Sequence, residues 1–323
     1  MGELDLIAAI ERMLRVRDPR VVRWMGDDAA VVRARPVAVT SIDAVAEGVH
    51  FELHTHSPAD IGHKALAVAL SDIAAMGAKS GEAYVSLALP EDFDSASAIE
   101  LVEALEALAE RTGTTVAGGD VIRARSLAVT VAVNGWAEDE SELVGRDGAS
   151  TGQLVGVTGS LGAAGAALLL LEGAKADLAP ERRRALVDRH RRPEPLLEAG
   201  RALAAAGASA MIDLSDGLAT DAGHVADRSG VQLRLRLADI PLADGVEEVA
   251  GAGGTNAAEL AATAGDDYEL LVVGPPEQRG ELEEAAASAG TSLTWLGEVV
   301  AGRGAVLLDA EGEPVALRGY EHP

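Results

Sequence analysis

Aspartates beside tight turns or strand ends are the residues of this chain best suited to chemistry. They occur in six segments: GDDAAVV (Asp27, Asp28), SIDAVAEGVHF (Asp43), ALSDIAAMGA (Asp72), AGGDVIR (Asp120), IDLSDGL (Asp213, Asp216) and AGDDYELL (Asp266, Asp267). Oxygen-rich turns of this kind suit Mg²⁺, which takes one or two carboxylates together with waters and substrate phosphates. The pattern predicts a metal-dependent site that handles phosphate groups.

Asp72 is the most informative of these acids. Its helix is otherwise nearly continuous in Ala, Leu, Val, Ile and Met, so most of its faces are expected to be buried. A buried carboxylate needs a cation, a metal or several hydrogen-bond donors. The alternative is that Asp72 lies on a narrow exposed stripe or caps a neighbouring loop.

The other acids have structural interpretations as well. Asp213 and Asp216 flank Ser215 where a strand turns into a helix, so Ser215 or Asp213 could simply cap that helix. Asp120 follows two glycines, which allow a ligand to approach the backbone closely but are also common in ordinary turns.

Three further groups are weaker candidates. The segment TGSLGAAGA could offer helix N-terminal amides to a phosphate, although it lacks the lysine of a P-loop and helix packing explains it better. Three histidines are close enough in sequence to suggest zinc, but surface or substrate contacts are the better interpretation (His50, His54, His56). Three arginines could bind phosphate or pair with surface acids (Arg123, Arg125, Arg146).

Composition excludes several classes of function. The net charge is -25, from 52 acidic and 27 basic residues, so nucleic acids and anionic membranes are unfavourable partners. There is no cysteine, which excludes disulfides, Cys-ligated metals and thiol nucleophiles. No apolar run is long enough to cross a membrane, and the acidic start lacks the basic region of a signal peptide, so a cytoplasmic location is expected.

The elements that must position these residues divide near residue 145. Residues 1–145 predict a mixed α+β domain in which Ser57 and Pro58 open a helix that runs to Gly77. The polar, acidic stretch 138–153 predicts the boundary. In residues 146–323, strands such as LVGV and YELLVV alternate with helices, one of them starting at Asp216, which predicts an α/β domain.

Taken in order, the motifs resemble the thiamine-monophosphate kinase family, in the superfamily of aminoimidazole ribonucleotide synthetase and selenophosphate synthetase. The resemblance runs nearly end to end and includes GDDAAV, DAVAEGVHF, GHKALAVALSDIAAMGA, GGD, VGRDGASTGQLVGVTGSLG, HRRPEP, IDLSDGLATDAGHVADRSG, GDDYELL and GYEH. It implies a PurM-like fold, and a homodimer whose N-terminal domains join their strands into a β-barrel.

The resemblance also implies an activity: ATP-dependent phosphorylation of thiamine monophosphate to thiamine diphosphate, a phosphotransfer with a phosphate group as acceptor, by direct in-line transfer without a phosphoenzyme. Several Mg²⁺ ions are the implied cofactors. The implied metal ligands are Asp28, Ser41, Asp43, Asp72, Asp120, Asp213 and Asp216, of which Asp72, Asp120 and Asp213 are the catalytic candidates. ATP contacts are implied at Gly119, Asp120, Arg146 and Ser215, and thiamine contacts at His50, Asp266 and Tyr320.

Four positions depart from the family pattern. Ala69 replaces an Asn, Asp266 replaces a Glu, and Val121 and Ile122 replace small hydroxyl residues. Shortening Glu to Asp moves a carboxylate by about 1.5 Å, the length of one carbon–carbon bond. The departures therefore concern the rim of the site, where the thiamine pyrimidine is expected, and leave the implied metal ligands intact.

Two alternatives remain. One is another ATP-using enzyme of the superfamily, of which aminoimidazole ribonucleotide synthetase is the relevant case, because selenophosphate synthetase and the hydrogenase maturation protein HypE use a reactive Cys or selenocysteine. The other is a non-catalytic sensor of nucleotides or thiamine phosphates. The full set of proposed metal positions favours an enzyme over a sensor.

Overall fold

The computed structural model describes residues 3–24 and 29–320. Contacts divide the chain into two compact units, which are described separately. The N-terminal unit is Met1–Ile73 with Ala78–Glu140, and the C-terminal unit is Ala74–Gly77 with Ser141–Pro323.

The N-terminal unit is a four-stranded sheet with helices. Its elements are α1 (Glu3–Met13), β1 (Val21–Arg23), β2 (Val31–Val32), β3 (Val37–Ala46), α2 (Pro58–Ala75), β4 (Lys79–Leu89), α3 (Ser95–Thr112), β5 (Thr115–Arg123) and β6 (Ala128–Ala137). The strand order in the sheet is β3-β6-β4-β5, and β1 pairs with β2 separately. Only β4 and β5 are parallel, as expected for strands joined through a helix.

Helix α2 begins at a reciprocal capping box. The N–H of Ser57 donates to Asp60 Oδ2 at 3.0 Å, and the N–H of Asp60 donates to Ser57 Oγ at 3.2 Å. The helix is buried along most of its length, as its composition predicts. Gly62 permits this, because a Cβ there would lie 1.9 Å from the carbonyl oxygen of Leu101 in α3.

The two faces of the N-terminal sheet differ in exposure. Along β3, Ser41 and Asp43 are half-buried, while Ile42 and Ala44, which alternate with them, are exposed. In β6, Val129, Val131 and Val133 are fully buried and the residues between them are not. This alternation means that helices cover one face and leave the other uncovered in the single chain.

The C-terminal unit is a seven-stranded sheet with helices. Its elements are β7 (Leu154–Thr158), α4 (Ala163–Leu171), α5 (Pro180–Arg191), α6 (Leu197–Ala205), β8 (Ala210–Asp213), α7 (Leu218–Ser229), β9 (Gln232–Arg236), α8 (Val246–Gly253), α9 (Ala257–Thr263), β10 (Leu270–Gly274), α10 (Arg279–Ser288), β11 (Leu293–Val300), β12 (Gly304–Leu308) and β13 (Pro314–Val315). The strand order is β13-β12-β9-β11-β7-β10-β8.

Both faces of the seven-stranded sheet are covered. Along β8 and β10, Ile212 and Leu271 belong to one buried cluster, whereas Met211 and Val272 belong to another. Strands and helices alternate as predicted, but the pairing is antiparallel except between β12 and β9. Strands buried on both faces lose period-two alternation, which is why they appear in the sequence as short apolar runs.

Among the described residues, no helix combines the length and the apolar composition needed to span a membrane.

Candidate active site

Ser41, Asp43 and Asp72 meet on the covered face of the N-terminal sheet. The Ser41 hydroxyl donates a hydrogen bond to Asp72 Oδ2, which joins the edge strand β3 to helix α2. Asp72 is half-buried. It is therefore neither a fully buried acid nor a residue on an exposed stripe, the two interpretations that the sequence allows. The structure thus brings together three of the residues that the sequence assigns to metal binding.

The electrostatics of this group favour a cation. Burial, followed by the charge and hydrogen bonding of Asp72, raises the pKa of Asp43 to about 6. Two carboxylates this close repel each other when both are ionised, and a divalent ion relieves that repulsion. The oxygen donors of Ser41, Asp43 and Asp72 are of the type that Mg²⁺ prefers, so these residues fit the implied metal.

His50 is held by two contacts. Its Nδ1 accepts a hydrogen bond from the N–H of Ala46 at 3.2 Å, and its carbonyl oxygen accepts one from Lys64 Nζ at 3.3 Å. Because Nδ1 accepts, the proton of the neutral ring lies on Nε2, which can donate to an anion. Lys64, which is fully buried, is a supporting residue that the sequence analysis did not single out.

Asp120 lies away from this group within the single chain. It is on β5, at the opposite edge of the sheet from Asp43 on β3, and three strand spacings separate the edges by about 14 Å. Its row across the sheet is Ala44–Thr130–Ser86–Asp120, which belongs to the uncovered face. The single chain therefore does not place Asp120 beside Asp43 and Asp72.

Gly119 borders an apolar cavity. A Cβ at Gly119 would lie 2.1 Å from the carbonyl oxygen of Val85, so this position requires glycine. The cavity has a volume of about 100 Å³. It is lined by Ile7, Ile10, Leu14, Val85, Leu87, Val102, Leu105, Val116 and residues 118–121. The glycines of the GGD motif thus expose backbone next to an apolar recess between α1, α3 and the sheet.

The IDLSDGL motif forms the turn between β8 and α7 in the C-terminal unit. Asp213 ends the strand and is buried, whereas Ser215 and Asp216 in the turn are half-buried. The helix N-cap is Gly217, at φ 103°, with no capping bond from a side chain. Neither Asp213 nor Ser215 occupies the N-cap position, so the capping interpretation is wrong.

Asp221 is a buried acid that the sequence analysis missed. Its Oδ2 accepts a hydrogen bond from the N–H of Asp216 at 3.1 Å. Burial, and then the charges of Asp213 and Asp216, raise its pKa to about 8, while the charge of Arg146 opposes this rise. Its position in the first turn of α7, directly after the acidic turn, was the available signal.

The acids of this turn also form a group with a histidine. Ligand atoms of Asp216, Asp221 and His224 lie within 4.8 Å of one another, the one such group among the described residues. His50, His54 and His56 do not form such a group. The described part of the chain therefore gives no support for a zinc site at these histidines. Arg146, an exposed residue, acts electrostatically on the Asp221 side of the group.

The two aspartates of GDDYE have different roles in the structure. Asp267 is buried, and its carboxylate accepts hydrogen bonds from the N–H groups of Gly162 and Ala164 at 2.6 and 3.2 Å. Asp267 therefore occupies the amides that TGSLGAAGA could have offered to a phosphate. Asp266 instead keeps 22% of its side chain exposed.

Two remaining candidates lie near the chain ends. Tyr320 is 48% exposed, and its N–H donates to the carbonyl oxygen of Asp216 at 2.9 Å. The C-terminal segment therefore contacts the IDLSDGL turn. Asp28 lies outside the described residues.

Comparisons with known proteins identify the family. Models of the AIR synthase related protein match the chain, the N-terminal domain over residues 26–137 and the C-terminal domain over residues 150–309. Thiamine-monophosphate kinase of Escherichia coli K12 is 34% identical, covering 99% of this chain and 98% of its own length. The chain belongs to the thiamine-monophosphate kinase family. The predicted resemblance is thereby confirmed.

Solved structures of thiamine-monophosphate kinases share the fold. The crystal structure of the enzyme from Stenotrophomonas maltophilia K279a aligns with a TM-score of 0.84 at 33% identity, covering 97% of this chain and 96% of its own. A structure of AaThiL complexed with AMPPCP and TMP aligns with a TM-score of 0.79 at 31% identity, covering 99% and 97%. These matches confirm the PurM-like fold that the motifs imply.

Proposed function

We propose that this protein is a thiamine-phosphate kinase that transfers the γ-phosphoryl group of ATP to thiamine monophosphate, forming thiamine diphosphate and ADP. The observation that carries the proposal is the end-to-end similarity to the structure of AaThiL with AMPPCP and TMP. AMPPCP is an ATP analogue, so that complex holds an ATP-like and a TMP ligand together. Phosphoryl transfer needs alignment and charge neutralisation more than a nucleophilic side chain, and the acidic turns suit that task. We place the reaction in the cytoplasm.

The metal ligands form two sets, one in each unit. Ser41, Asp43 and Asp72 would hold Mg²⁺ in the N-terminal unit, with Asp28 added from the family resemblance. Asp213 and Asp216 would do so in the C-terminal unit. Bound Mg²⁺ would neutralise phosphate charge. The raised pKa values of Asp43 and Asp221 support this assignment, because burial and then the charges of neighbouring carboxylates cause them, and a bound cation would offset both effects.

The apolar cavity beside Gly119 is proposed to receive the adenine ring of ATP. Its lining is aliphatic apart from Asp120 and two glycines, Gly118 and Gly119, whose only atoms are those of the backbone. Such a combination of apolar walls and a few backbone groups is typical of nucleotide-base sites. The family resemblance also implies ATP contacts at Ser215 and Arg146, and we keep both as proposed ATP contacts.

A homodimer is the proposed assembly. The uncovered face of the N-terminal sheet carries Ile42, which is 69% exposed, and Ile122, which is 47% exposed. Within the described residues, β3 and β5 are the edge strands of this sheet, and the backbone groups of edge strands need a partner or cover. A second copy of the same sheet would cover the apolar face and pair the edges in a closed barrel.

Dimer formation also accounts for Asp120. Because Asp43 and Asp120 lie on opposite sheet edges, a barrel that closes β3 of one chain against β5 of the other would place Asp120 of the partner subunit on the strand next to Asp43. The two side chains leave these strands on opposite faces, so the shared site would lie at the ends of the paired strands, where bound Mg²⁺ and phosphate could reach acids of both chains. We propose this arrangement for the metal set of the N-terminal unit.

Mixed dimers test the shared site. Asp43→Asn and Asp120→Asn homodimers are each expected to be inactive. A heterodimer of the two variants, isolated with two different affinity tags, keeps one site free of both substitutions and should recover about half of wild-type activity. An inactive heterodimer would show that both acids come from one chain.

The function itself is tested with purified protein, ATP, Mg²⁺ and thiamine monophosphate. We expect thiamine diphosphate and ADP in equal amounts, and no turnover in EDTA. ATP binding without product would favour the sensor. Turnover of ATP with formylglycinamidine ribonucleotide, but not with thiamine monophosphate, would favour the synthetase alternative.

A further inference from the structure

The GDDYE segment has an unusual backbone next to the IDLSDGL turn. Asp266 and Tyr268 both have positive φ values, 67° and 50°, although neither is glycine. Two backbone bonds hold the segment, from the Asp266 N–H to the Ser215 carbonyl and from the Tyr268 N–H to the Leu214 carbonyl, each at 2.9 Å. Left-handed conformations of non-glycine residues cost free energy and persist where the surroundings enforce them, often at functional sites.

Both carboxylate oxygens of Asp266 have a neighbour. The hydroxyl of Tyr268 donates to Oδ1 at 3.2 Å, and the ring Nδ1 of His190 lies 3.4 Å from Oδ2. His190 and Tyr268 are 2% and 8% exposed, so their positions are set by packing. The carboxylate of Asp266 itself remains partly open to solvent.

Helix α5 holds the segment at both ends through consecutive residues. Arg189 Nη2 pairs with Glu269 Oε1 at 2.7 Å, and His190 contacts Asp266. The other oxygen of Glu269 accepts the hydroxyl of Thr158 at 2.6 Å in β7. The left-handed turn is thus clamped by α5 on one side and the sheet on the other, which limits rotation of the Asp266 side chain.

We propose that His190 and Tyr268 are positioning residues that aim the Asp266 carboxylate at the aminopyrimidine ring of the thiamine substrate. The inference rests on the proposed function. The exocyclic amino group of that ring is a hydrogen-bond donor, and a carboxylate held in a fixed direction accepts from it better than one that rotates. The clamp matters here because Asp266 is shorter than the Glu usual in the family, so its reach must be set by its surroundings.

The experiment measures binding and turnover of two substrates. They are thiamine monophosphate and oxythiamine monophosphate, which carries an oxo group in place of the exocyclic amino group. The variants are Tyr268→Phe, which removes one hydroxyl, His190→Asn, and Asp266→Asn, each alone and Tyr268→Phe with Asp266→Asn. Asp227→Asn, at an exposed aspartate of α7 in the same unit, is the matched control.

A positioning role predicts a selective loss. Tyr268→Phe and His190→Asn should each raise the KM for thiamine monophosphate about 5- to 20-fold and reduce its preference over the oxo analogue, with the KM for ATP changed less than about twofold. In the Asp266→Asn background, Tyr268→Phe should add almost nothing, because it acts through that carboxylate.

The opposite results would overturn the proposal. These are unchanged discrimination between the two substrates, or losses that add in the double variant. If His190→Asn fails to fold, judged by its melting temperature, Tyr268→Phe carries the test. If wild-type protein makes no thiamine diphosphate, the proposed function fails, whereas calorimetric binding of the two ligands without ATP still decides the role of the clamp.

Discussion

The backbone N–H of Tyr320 donates a hydrogen bond to the carbonyl oxygen of Asp216. One residue earlier, the N–H of Gly319 donates to Thr220 Oγ1 at 3.0 Å. The C-terminal segment therefore packs on the turn that carries two proposed metal ligands. A main-chain hydrogen bond therefore links Tyr320, a proposed thiamine contact, to Asp216, a proposed metal ligand.

Gly319→Ala should weaken metal binding without removing a ligand. A Cβ at this position would lie 2.1 Å from the carbonyl oxygen of Asp216, so the turn or the C-terminal segment must move. We expect the Mg²⁺ concentration for half-maximal activity to rise about 10-fold or more, since displacements near 1 Å in such sites are costly. Gly280→Ala is the control, because a Cβ there meets nothing within 4 Å. Equal Mg²⁺ requirements in both variants would contradict the coupling.

Asp72→Asn should abolish phosphoryl transfer and leave the fold intact. The amide keeps the shape of the side chain but removes the charge that a divalent ion requires. Asp60→Asn on the same helix is the matched control, since Asp60 serves the capping box. It should lower the free energy of unfolding by about 1 kcal/mol and keep activity. Activity and melting temperature of both variants check the prediction, which an active Asp72→Asn enzyme would refute.

The stability of the metal-free protein should depend on pH through Asp43. Its pKa is raised to about 6 in the folded chain, from an ordinary value of 3.8, by burial and Asp72. The folded state therefore holds a proton that the unfolded state has lost, and stability decreases as pH rises from about 4 to about 6.

Asp43→Asn should remove this dependence. At pH 7.5 in EDTA the variant should be more stable than wild type by about 1–2 kcal/mol, a figure discounted for the partial exposure of the site. The difference should vanish near pH 4, and Mg²⁺ should stabilise the wild type more than the variant. Unfolding curves in urea at the two pH values provide the measurement, and a gap that is constant with pH would be the contrary result.

Filling the cavity beside Gly119 should weaken ATP binding. Val102 lines the cavity, and Val102→Phe adds volume to it. We expect the KM for ATP to rise about 10-fold, a loss of roughly 1.4 kcal/mol, with the KM for thiamine monophosphate unchanged. Leu108→Phe, at a buried position of the same helix that does not line the cavity, controls for overpacking. A similar rise in both variants would remove the cavity from the ATP site.

Local sequence patterns were sufficient to predict many of the helices and strands. Ser57, Pro58 and Asp60 predict the start of helix α2, because a capping box is formed by residues that are close together in the sequence. The strands of both units follow from apolar runs and alternation. Helix α5 was not predicted, since only Leu186 and His190 of its twelve residues are buried and its arginines hide the apolar period.

In the candidate site, residue identity and spacing determine some features, and the tertiary structure determines others. The order of acidic turns along the chain determined the family, the PurM-like fold and the types of ligand, because those depend on residue identity and spacing. Sequence could not separate Asp266 from Asp267, which are adjacent and chemically alike. Only the tertiary structure assigned Asp267 to the N-terminus of α4. It placed Asp266, with 22% of its side chain exposed, between His190 and Tyr268.

The same holds for Asp43, Asp72 and Asp120, which look equivalent in sequence. Residue type and turn context determined that each is a candidate ligand. Strand order and the face on which each side chain lies decided that Asp43 and Asp72 meet, while Asp120 is at the far edge on the other face. Sheet order depends on contacts between residues distant in the chain, and no local pattern of amino acids contains that information.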